Sequence, residues 1–112
     1  WSVPHQHYLI VGGEIVALST PRESSIVTSI MRELRKHGAM VIKIHGDPYM
    51  PGGTPDLIGC ASGRCFVLEV KRPGEKPRVL QVQQLEKWRK AGAVAGVVTS
   101  AKEAVRLVFG EQ

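Results

Sequence analysis

Residues 55–71 read PDLIGCASGRCFVLEVK, and this stretch decides the fold because two β-prone runs flank a short turn segment. Residues 56–60 form the first run, residues 65–71 form the second, and the residues between them supply turn chemistry. Side chains alternate between the two faces of a strand, so the second run places Glu69 and Lys71 on one face. We therefore predict a central β-hairpin that carries this charged pair at its end.

The charged side chains of this hairpin match the needs of phosphodiester hydrolysis. Asp56 is expected to approach Glu69 closely enough to share a cation, because a charged group in apolar surroundings is costly unless it is paired or metal-bound. Mg²⁺ prefers carboxylate, carbonyl and water oxygens and is usually held by one or two protein carboxylates. We predict Asp56 and Glu69 as its ligands, with the main-chain carbonyl of Val70 as a third oxygen. Lys71 is predicted to orient the attacking water or to stabilise the scissile phosphate.

The order of these motifs resembles the PD-(D/E)xK nuclease superfamily and, within it, the stand-alone, phage-like type of VRR-NUC domain. The resemblance runs from about residue 21 to about residue 108. The matching residues are Glu23 in a first helix, Gly53-Thr54-Pro55-Asp56, Glu69-Val70-Lys71, and Gln81 opening a later helix. One departure is the loop of residues 47–53, which lacks the basic residue that relatives often carry there, and this argues against a phosphate contact from the loop.

The resemblance implies both a fold and an activity. The fold is α/β, with a small central mixed β-sheet flanked by helices, as in restriction-endonuclease-like cores. The activity is that of a Mg²⁺-dependent endonuclease, and Mn²⁺ is expected to substitute. The implied catalytic residues are Glu23, Asp56, Glu69, Lys71 and Gln81.

Glu23 and Gln81 each have two interpretations. The sequence Thr20-Pro21-Arg22-Glu23 looks like a capping box with proline at the first helical position, and this alone accounts for Glu23. Glu23 also shares a face with the inward stripe of that helix, so we predict that it points toward the metal, with water between them as one arrangement. Gln81 is either an exposed residue of a first helical turn or a donor to the attacking water, the lysine amine or the backbone phosphate.

The 112 residues are predicted to form one domain, with residues 1–19 as an N-terminal hairpin extension and residues 20–109 as the nuclease core. The extension reads as two short strands joined by Gly12-Gly13. The core is predicted to contain helices over residues 21–37, 81–91 and 102–109, strands over residues 39–44 and 93–99, and the central hairpin between them.

Charge indicates a polyanionic partner. Fifteen Lys and Arg against ten Asp and Glu give a net charge of +5. Residues 71–90 contain seven basic and two acidic residues next to the predicted site. The residues predicted to contact DNA are Arg72, Lys76, Arg78, Lys87, Arg89 and Lys90.

The sequence favours a structure-selective endonuclease that acts on branched DNA, in the manner of a Holliday-junction resolvase, in DNA repair or recombination. We predict a homodimer, because the N-terminal hairpin is mostly apolar and needs something to pack on. Two alternatives stay open, a non-cleaving nucleic-acid-binding module on the same fold and a sequence-specific restriction-type endonuclease. No stretch has the length of a membrane span, so a cytoplasmic setting in a phage or bacterial context is expected, with no membrane partner.

The cysteines and histidines are predicted to be bystanders. Cys60 and Cys65 flank the central turn and are expected to be free core thiols, although a disulfide between neighbouring strands is geometrically possible. His45 precedes the loop that leads to the site, and we predict that it is not a metal ligand because oxygen ligands already suit Mg²⁺.

Overall fold

The computed structural model describes residues 7–18 and 21–110, which form two sheets and three helices. A two-stranded antiparallel hairpin comes first in the chain, and a four-stranded sheet with strand order β3-β4-β5-β6 follows. The strands are β1 (His7–Val11), β2 (Glu14–Leu18), β3 (Met40–Lys43), β4 (Leu57–Ala61), β5 (Arg64–Val70) and β6 (Val94–Val98), and the helices are α1 (Glu23–Lys36), α2 (Val79–Lys90) and α3 (Ala101–Phe109).

The four-stranded sheet is mixed. Strands β3, β4 and β5 pair antiparallel, whereas β5 and β6 pair parallel through a crossover that contains α2. Strand β5 lies inside the sheet, and its last five residues, Phe66 to Val70, are all buried. The α/β fold with a small mixed sheet flanked by helices is thereby confirmed, including the N-terminal hairpin.

The alternation along β5 divides the core into two parts. Phe66, Leu68 and Val70 pack against α1 and α3 on one face of the sheet. Val67 packs on the opposite face with Leu85 of α2 and with β6. Glu69 alternates with Leu68 and Val70, so its side chain lies on the α2 face, as the period of two predicts.

Helix α1 begins at a different residue from the one the capping-box pattern predicts. Arg22 is the N-cap: its backbone is extended, and its carbonyl accepts from the amides of Ser25 and Ile26. Pro21 is therefore outside the helix, and Glu23 is the first helical residue, not the third. The capping-box interpretation of Glu23 is wrong, because a carboxylate at the first position does not reach back to the N-cap amide. Thr20, the other half of that box, lies outside the described residues.

Two more differences follow from where α2 lies. The helix begins at Val79, so Gln81 is its third residue and not its first. It packs on β5 and β6 and leaves the β3 half of that face uncovered, where Met40 and Ile42 are exposed. Cys60 and Cys65 point onto this uncovered half and are exposed free thiols, so the prediction of core thiols is wrong.

The helices within residues 7–18 and 21–110 include none that is long and apolar enough to cross a bilayer.

Candidate active site

Glu69 is a buried carboxylate near the carboxyl end of β5. Its side chain is 3% exposed. The Oε1 atom accepts a hydrogen bond from Nε2 of Gln81 at 3.0 Å. The Oε2 atom is buried too, and no donor within residues 7–18 and 21–110 reaches it. A buried carboxylate oxygen without a donor or a cation is costly, so this atom marks a position where a positively charged ligand lowers the free energy.

Asp56 is held by hydrogen bonds of its backbone and its side chain. It lies one residue before β4, where its backbone amide donates to the carbonyl of Leu68 at 3.1 Å and its carbonyl accepts from the amide of Ile44 at 2.8 Å. Its Oδ2 atom accepts from the backbone amide of Val70 at 2.7 Å. These three bonds fix the carboxylate beside the end of β5, because each partner belongs to a neighbouring strand or its extension.

Burial and the neighbouring Asp56 raise the cost of ionising Glu69. Burial is the main cause that raises the pKa of Glu69 from 4.5 to about 8. The neighbouring side chain of Asp56 and its charge raise this pKa further, Lys71 lowers it, and Glu23 adds a smaller increase. Without a cation, Glu69 therefore keeps its proton over most of the neutral range.

The carbonyl of Val70 faces the same place. The amide and carbonyl of one residue in a strand point to the same neighbouring strand, and successive residues alternate. The Val70 amide points to Asp56, whereas the amide of Lys71 points the other way and donates to Val98 of β6 at 3.0 Å. The Val70 carbonyl is therefore directed to the side of the sheet where Asp56 lies.

Lys71 follows β5 directly and brings a positive charge to the carboxylates. Its Nζ atom is 4.0 Å from Oε1 of Glu69, and its side chain is 12% exposed. A cation so nearly buried interacts more strongly with its neighbours than a surface lysine does. At 4.0 Å the ammonium is beyond hydrogen-bond length from Glu69, so the two groups form an ion pair without a hydrogen bond.

Gln81 connects the start of α2 to Glu69. Its Oε1 atom accepts from the backbone amide of Arg78 at 2.8 Å, which caps the helix, while its Nε2 atom donates to Glu69. The residue is 5% exposed. Its interpretation as an exposed residue of the first turn is therefore wrong, since it orients a carboxylate.

Glu23 lies in the first turn of α1 and is half-buried, and its charge contributes to the raised pKa of Glu69. The described part of the chain contains no group of three or more His, Cys, Asp or Glu placed to hold a metal. Direct coordination by Glu23 together with both carboxylates is therefore not supported, and a contact through water stays a prediction. Two carboxylates with a carbonyl and water are a set that suits Mg²⁺, so the residues present fit this ion.

The residues predicted to contact DNA fall into two groups at opposite ends of α2. Arg72, Lys76 and Arg78 are exposed and precede Gln81 closely in the chain. Arg89 is about 12 Å farther along the axis, at about 1.5 Å a residue. Its guanidinium donates to the carbonyl of Ala95 at 2.8 Å and pairs with Glu86. Lys87 and Lys90 are exposed at this same distant end, so only the first group lies next to the site.

Two groups that position the site were not predicted from the sequence motifs. The backbone amide of Val70, which holds Asp56, carries no sequence signature. Gly53 has a φ of +81°, and a Cβ atom there would lie 2.3 Å from the carbonyl oxygen of Leu80. Glycine alone lets the loop before Asp56 lie against the first turn of α2. The Gly52-Gly53 pair is the signal in the sequence for this close approach.

An open cavity elsewhere in the molecule is separate from these groups. It has a volume of about 520 Å³ and lies between α1 and α3, lined by Ser29, Glu33, His37, Val105 and their neighbours. Neither carboxylate lines it. The carboxylates sit instead at the carboxyl end of β5, beside the start of α2.

Comparison with known proteins finds similar chains among solved structures. The structure matches a solved VRR_NUC domain with a TM-score of 0.66 and 27% identity, over 80% of this chain and 97% of that one. It also matches the Holliday junction resolvase Hjc of the archaeal hyperthermophile Archaeoglobus fulgidus with a TM-score of 0.57 and 26% identity, over 69% of this chain and 67% of that one.

A phage protein is similar in sequence. The protein named "Putative nuclease p44", from Acyrthosiphon pisum secondary endosymbiont phage 1, is 36% identical over 66 residues, which are 56% of this chain and 67% of that protein. No family model matches the chain.

Proposed function

Because the chain belongs to the VRR-NUC family of nuclease domains, we propose that it is a Mg²⁺-dependent endonuclease that cuts branched DNA in the manner of a junction resolvase. The observation that carries the catalytic part is the buried Oε2 atom of Glu69, which has no donor among the described residues and lies beside a second carboxylate. The preference for branched DNA rests on the similarity to an archaeal Holliday junction resolvase.

In this proposal, Asp56, Glu69 and the carbonyl of Val70 would hold the cation. When bound, the divalent ion would supply an acidified water and positive charge for the phosphate. Gln81 keeps Glu69 in place through its amide. Lys71, whose ammonium is 4.0 Å from Glu69, orients the attacking water or contacts the scissile phosphate.

Cleavage assays test the proposal directly. The purified protein is incubated with labelled linear duplex, flap and four-way DNA in Mg²⁺, Mn²⁺ or EDTA. We expect cutting of the branched substrates with either metal and none in EDTA. The variant Asp56→Asn should lose on the order of a thousandfold in rate. It should still bind DNA, because the affinity resides in exposed residues such as Lys76 and Arg78.

The outcomes separate the proposal from its alternatives. Wild-type protein that binds every substrate but cuts none in either metal would indicate a non-cleaving binding module. Cutting of linear duplex at one sequence would indicate a restriction-type enzyme. Normal cleavage by folded Asp56→Asn protein would contradict the assignment of the metal site.

We further propose that the protein acts as a two-fold homodimer that makes paired nicks in a four-way junction. One active site cuts one strand, whereas resolution of a junction with two-fold symmetry needs two matched cuts. The hairpin β1–β2 supports this proposal, because it forms a sheet separate from the four-stranded one, and an isolated two-stranded hairpin is marginal in water.

Light scattering at micromolar concentration should give a molecular mass of about twice 12.2 kDa. A plasmid cruciform should yield linear product in one encounter, and a strict monomer that only nicks it would contradict this proposal.

The setting in a cell follows from the same proposal. A nuclease for branched DNA acts where replication, repair or recombination produces branches, which is inside a cell. The similarity to a protein of an endosymbiont phage favours a phage or bacterial context.

A further inference from the structure

Five exposed apolar side chains lie on the loop before Asp56 and on the start of α2. Tyr49 is 96% exposed, Val79 is 71% exposed and Leu80 is 57% exposed. Met50 and Val82 are exposed as well. We call these five residues the apolar rim.

The loop and the helix of the apolar rim are in direct contact. A Cβ atom on Gly52 would lie 3.1 Å from Cδ1 of Leu80, and one on Gly53 would lie 2.3 Å from its carbonyl oxygen. The loop therefore lies on the first turn of α2. Val79 and Val82 are three residues apart on this helix and share a face. The rim is thus formed by two segments that touch.

A turn holds Tyr49 in the solvent. The amide of Met50 donates to the carbonyl of Asp47 at 3.1 Å, and the amide of Tyr49 donates to Oδ1 of Asp47 at 2.8 Å. Pro48 occupies the second position of this turn, where its fixed φ is favourable. The aromatic ring is therefore exposed on a turn of defined shape.

The apolar rim lies on the two segments that lead to the candidate active site. Leu80 directly precedes Gln81, whose amide donates to Glu69. From Met50 the loop continues through Thr54, which donates to the carbonyl of Pro51 at 2.6 Å, and reaches Asp56 two residues later. The segments that carry the rim therefore also carry Gln81, which binds Glu69, and Asp56.

Charge indicates which partner covers these apolar side chains. Lys76 and Arg78 are exposed just before Val79, and the chain carries a net charge of +5. A second copy of the same basic surface would be repelled. A polyanion with exposed aromatic faces satisfies both features, since its phosphates meet the basic residues and its bases meet the apolar ones. Single-stranded DNA has this chemistry, whereas the bases of an intact duplex are already stacked.

We propose that the apolar rim binds unpaired DNA bases at a branch, with Tyr49 stacking on one of them, and so makes unpaired bases next to the cut part of the substrate. This inference rests on the proposed nuclease function and names its substrate more closely. It also accounts for the loop of residues 47–53, which carries no basic residue and has Tyr49 and Met50 in its place. Apolar side chains inserted at a base step are a known means of holding DNA in an unstacked form.

The test measures binding in EDTA, so that no strand is cut. The probes are a labelled fork with unpaired arms and a fully paired duplex of equal length, and the readout is fluorescence anisotropy. Tyr49→Ala should weaken binding of the fork about 5-fold to about 150-fold and leave the duplex unchanged. Tyr49→Phe keeps the ring and should bind like the wild type. Lys76→Ala is the matched control for charge, and it should weaken both probes alike.

A second readout reports stacking itself. A 2-aminopurine at the first unpaired position of the fork should lose fluorescence on binding the wild type and keep it with Tyr49→Ala. The inference is overturned if Tyr49→Ala binds the fork as the wild type does, or if it weakens fork and duplex equally. It is also overturned if Tyr49→Ala changes the mass in light scattering from dimer to monomer, because the rim would then be a contact between copies. Binding in EDTA does not require cleavage, so a protein that cuts no DNA would contradict the proposed function without deciding this test.

Discussion

Replacement of Glu69 by glutamine should remove the loss of stability that Glu69 causes as the pH rises. Glu69→Gln is nearly isosteric and keeps an oxygen that accepts from Gln81. It removes the carboxyl group whose pKa is raised from 4.5 to about 8 in the folded protein. Between these two values the folded state binds more protons than the unfolded state, so the free energy of unfolding of the metal-free wild type falls as pH rises. The loss begins above about pH 4.5 and is complete above about pH 8.

The size of the effect follows from the same two values. The difference between 4.5 and about 8 corresponds to about 5 kcal/mol, at about 1.4 kcal/mol for each pH unit. In EDTA above pH 8, Glu69→Gln should therefore be more stable than the wild type by up to about 5 kcal/mol. Mg²⁺ binds the ionised carboxylate, so it should stabilise the wild type increasingly from pH 6 to pH 9, by about 2.7 kcal/mol at one hundred times its dissociation constant. It should leave Glu69→Gln nearly unchanged.

Urea unfolding followed by circular dichroism, at one-unit steps from pH 5 to pH 9, measures both effects. Glu86→Gln is the matched control, because Glu86 is a half-exposed carboxylate on α2 that pairs with Arg89. This variant should keep the wild-type pH dependence and the response to Mg²⁺. Wild-type and Glu69→Gln profiles that stay parallel in EDTA would refute the argument, since they would mean that Glu69 ionises normally in the folded protein.

Three further outcomes are expected. Gly53→Ala should lower the free energy of unfolding in urea by about 2 to 5 kcal/mol, because the added Cβ meets the backbone of α2. The control Gly63→Ala, at a similar φ of +79° but in open space, should lower it by about 1 to 2 kcal/mol, and equal losses would contradict the close approach. Lys71→Ala should lower the cleavage rate about a hundredfold or more. It should also shift Mg²⁺ binding to higher pH, because Lys71 lowers the pKa of Glu69, and an unchanged pH profile of Mg²⁺ binding would contradict this role of Lys71. Cys60 and Cys65 are exposed and lie directly opposite each other on β4 and β5, so oxidation by diamide should form an intramolecular disulfide. Mass spectrometry should show the loss of two hydrogens in the wild type and no such loss in Cys60→Ser. A wild type that stays reduced would argue against this strand register.

The central hairpin was predictable because its signals are local. The alternation along β5 separates Glu69 from Leu68 and Val70 in the sequence as it does in the structure, since a period of two fixes which face each side chain takes. The turn before Arg64 and the glycine after α2 likewise act over a few residues. The order of elements and the neighbouring positions of Glu69 and Lys71 could be predicted for this reason.

Other features depend on residues far apart in the chain. Exposure of Cys60 depends on which strands α2 covers, and the local sequence of β4 does not contain that information. Asp56 is held by an amide 14 residues later, and backbone amides have no signature. The capping-box pattern at Thr20 was misleading because a sequence pattern is a weak indicator of the residue at which a helix begins. Helix α1 begins at Glu23.

The unfavourable position of Glu69 is held by the structure around it. Two carboxylates side by side repel each other when ionised, and an unsupported pair would move apart or into water. Here Asp56 is bound through its amide, its carbonyl and its side chain, and Glu69 is bound through Gln81 and lies on a fully buried part of β5. The protein relieves the repulsion by keeping a proton on Glu69, whose pKa is raised to about 8. A divalent cation relieves the repulsion between the two carboxylates better than a proton does. Binding of Mg²⁺ below pH 8 should therefore release the proton of Glu69, and the number of protons released per ion should fall toward zero as the pH rises above 8. Calorimetric titrations in two buffers of different ionisation enthalpy would count these protons, and a count that does not change with pH would mean that the cation is held elsewhere.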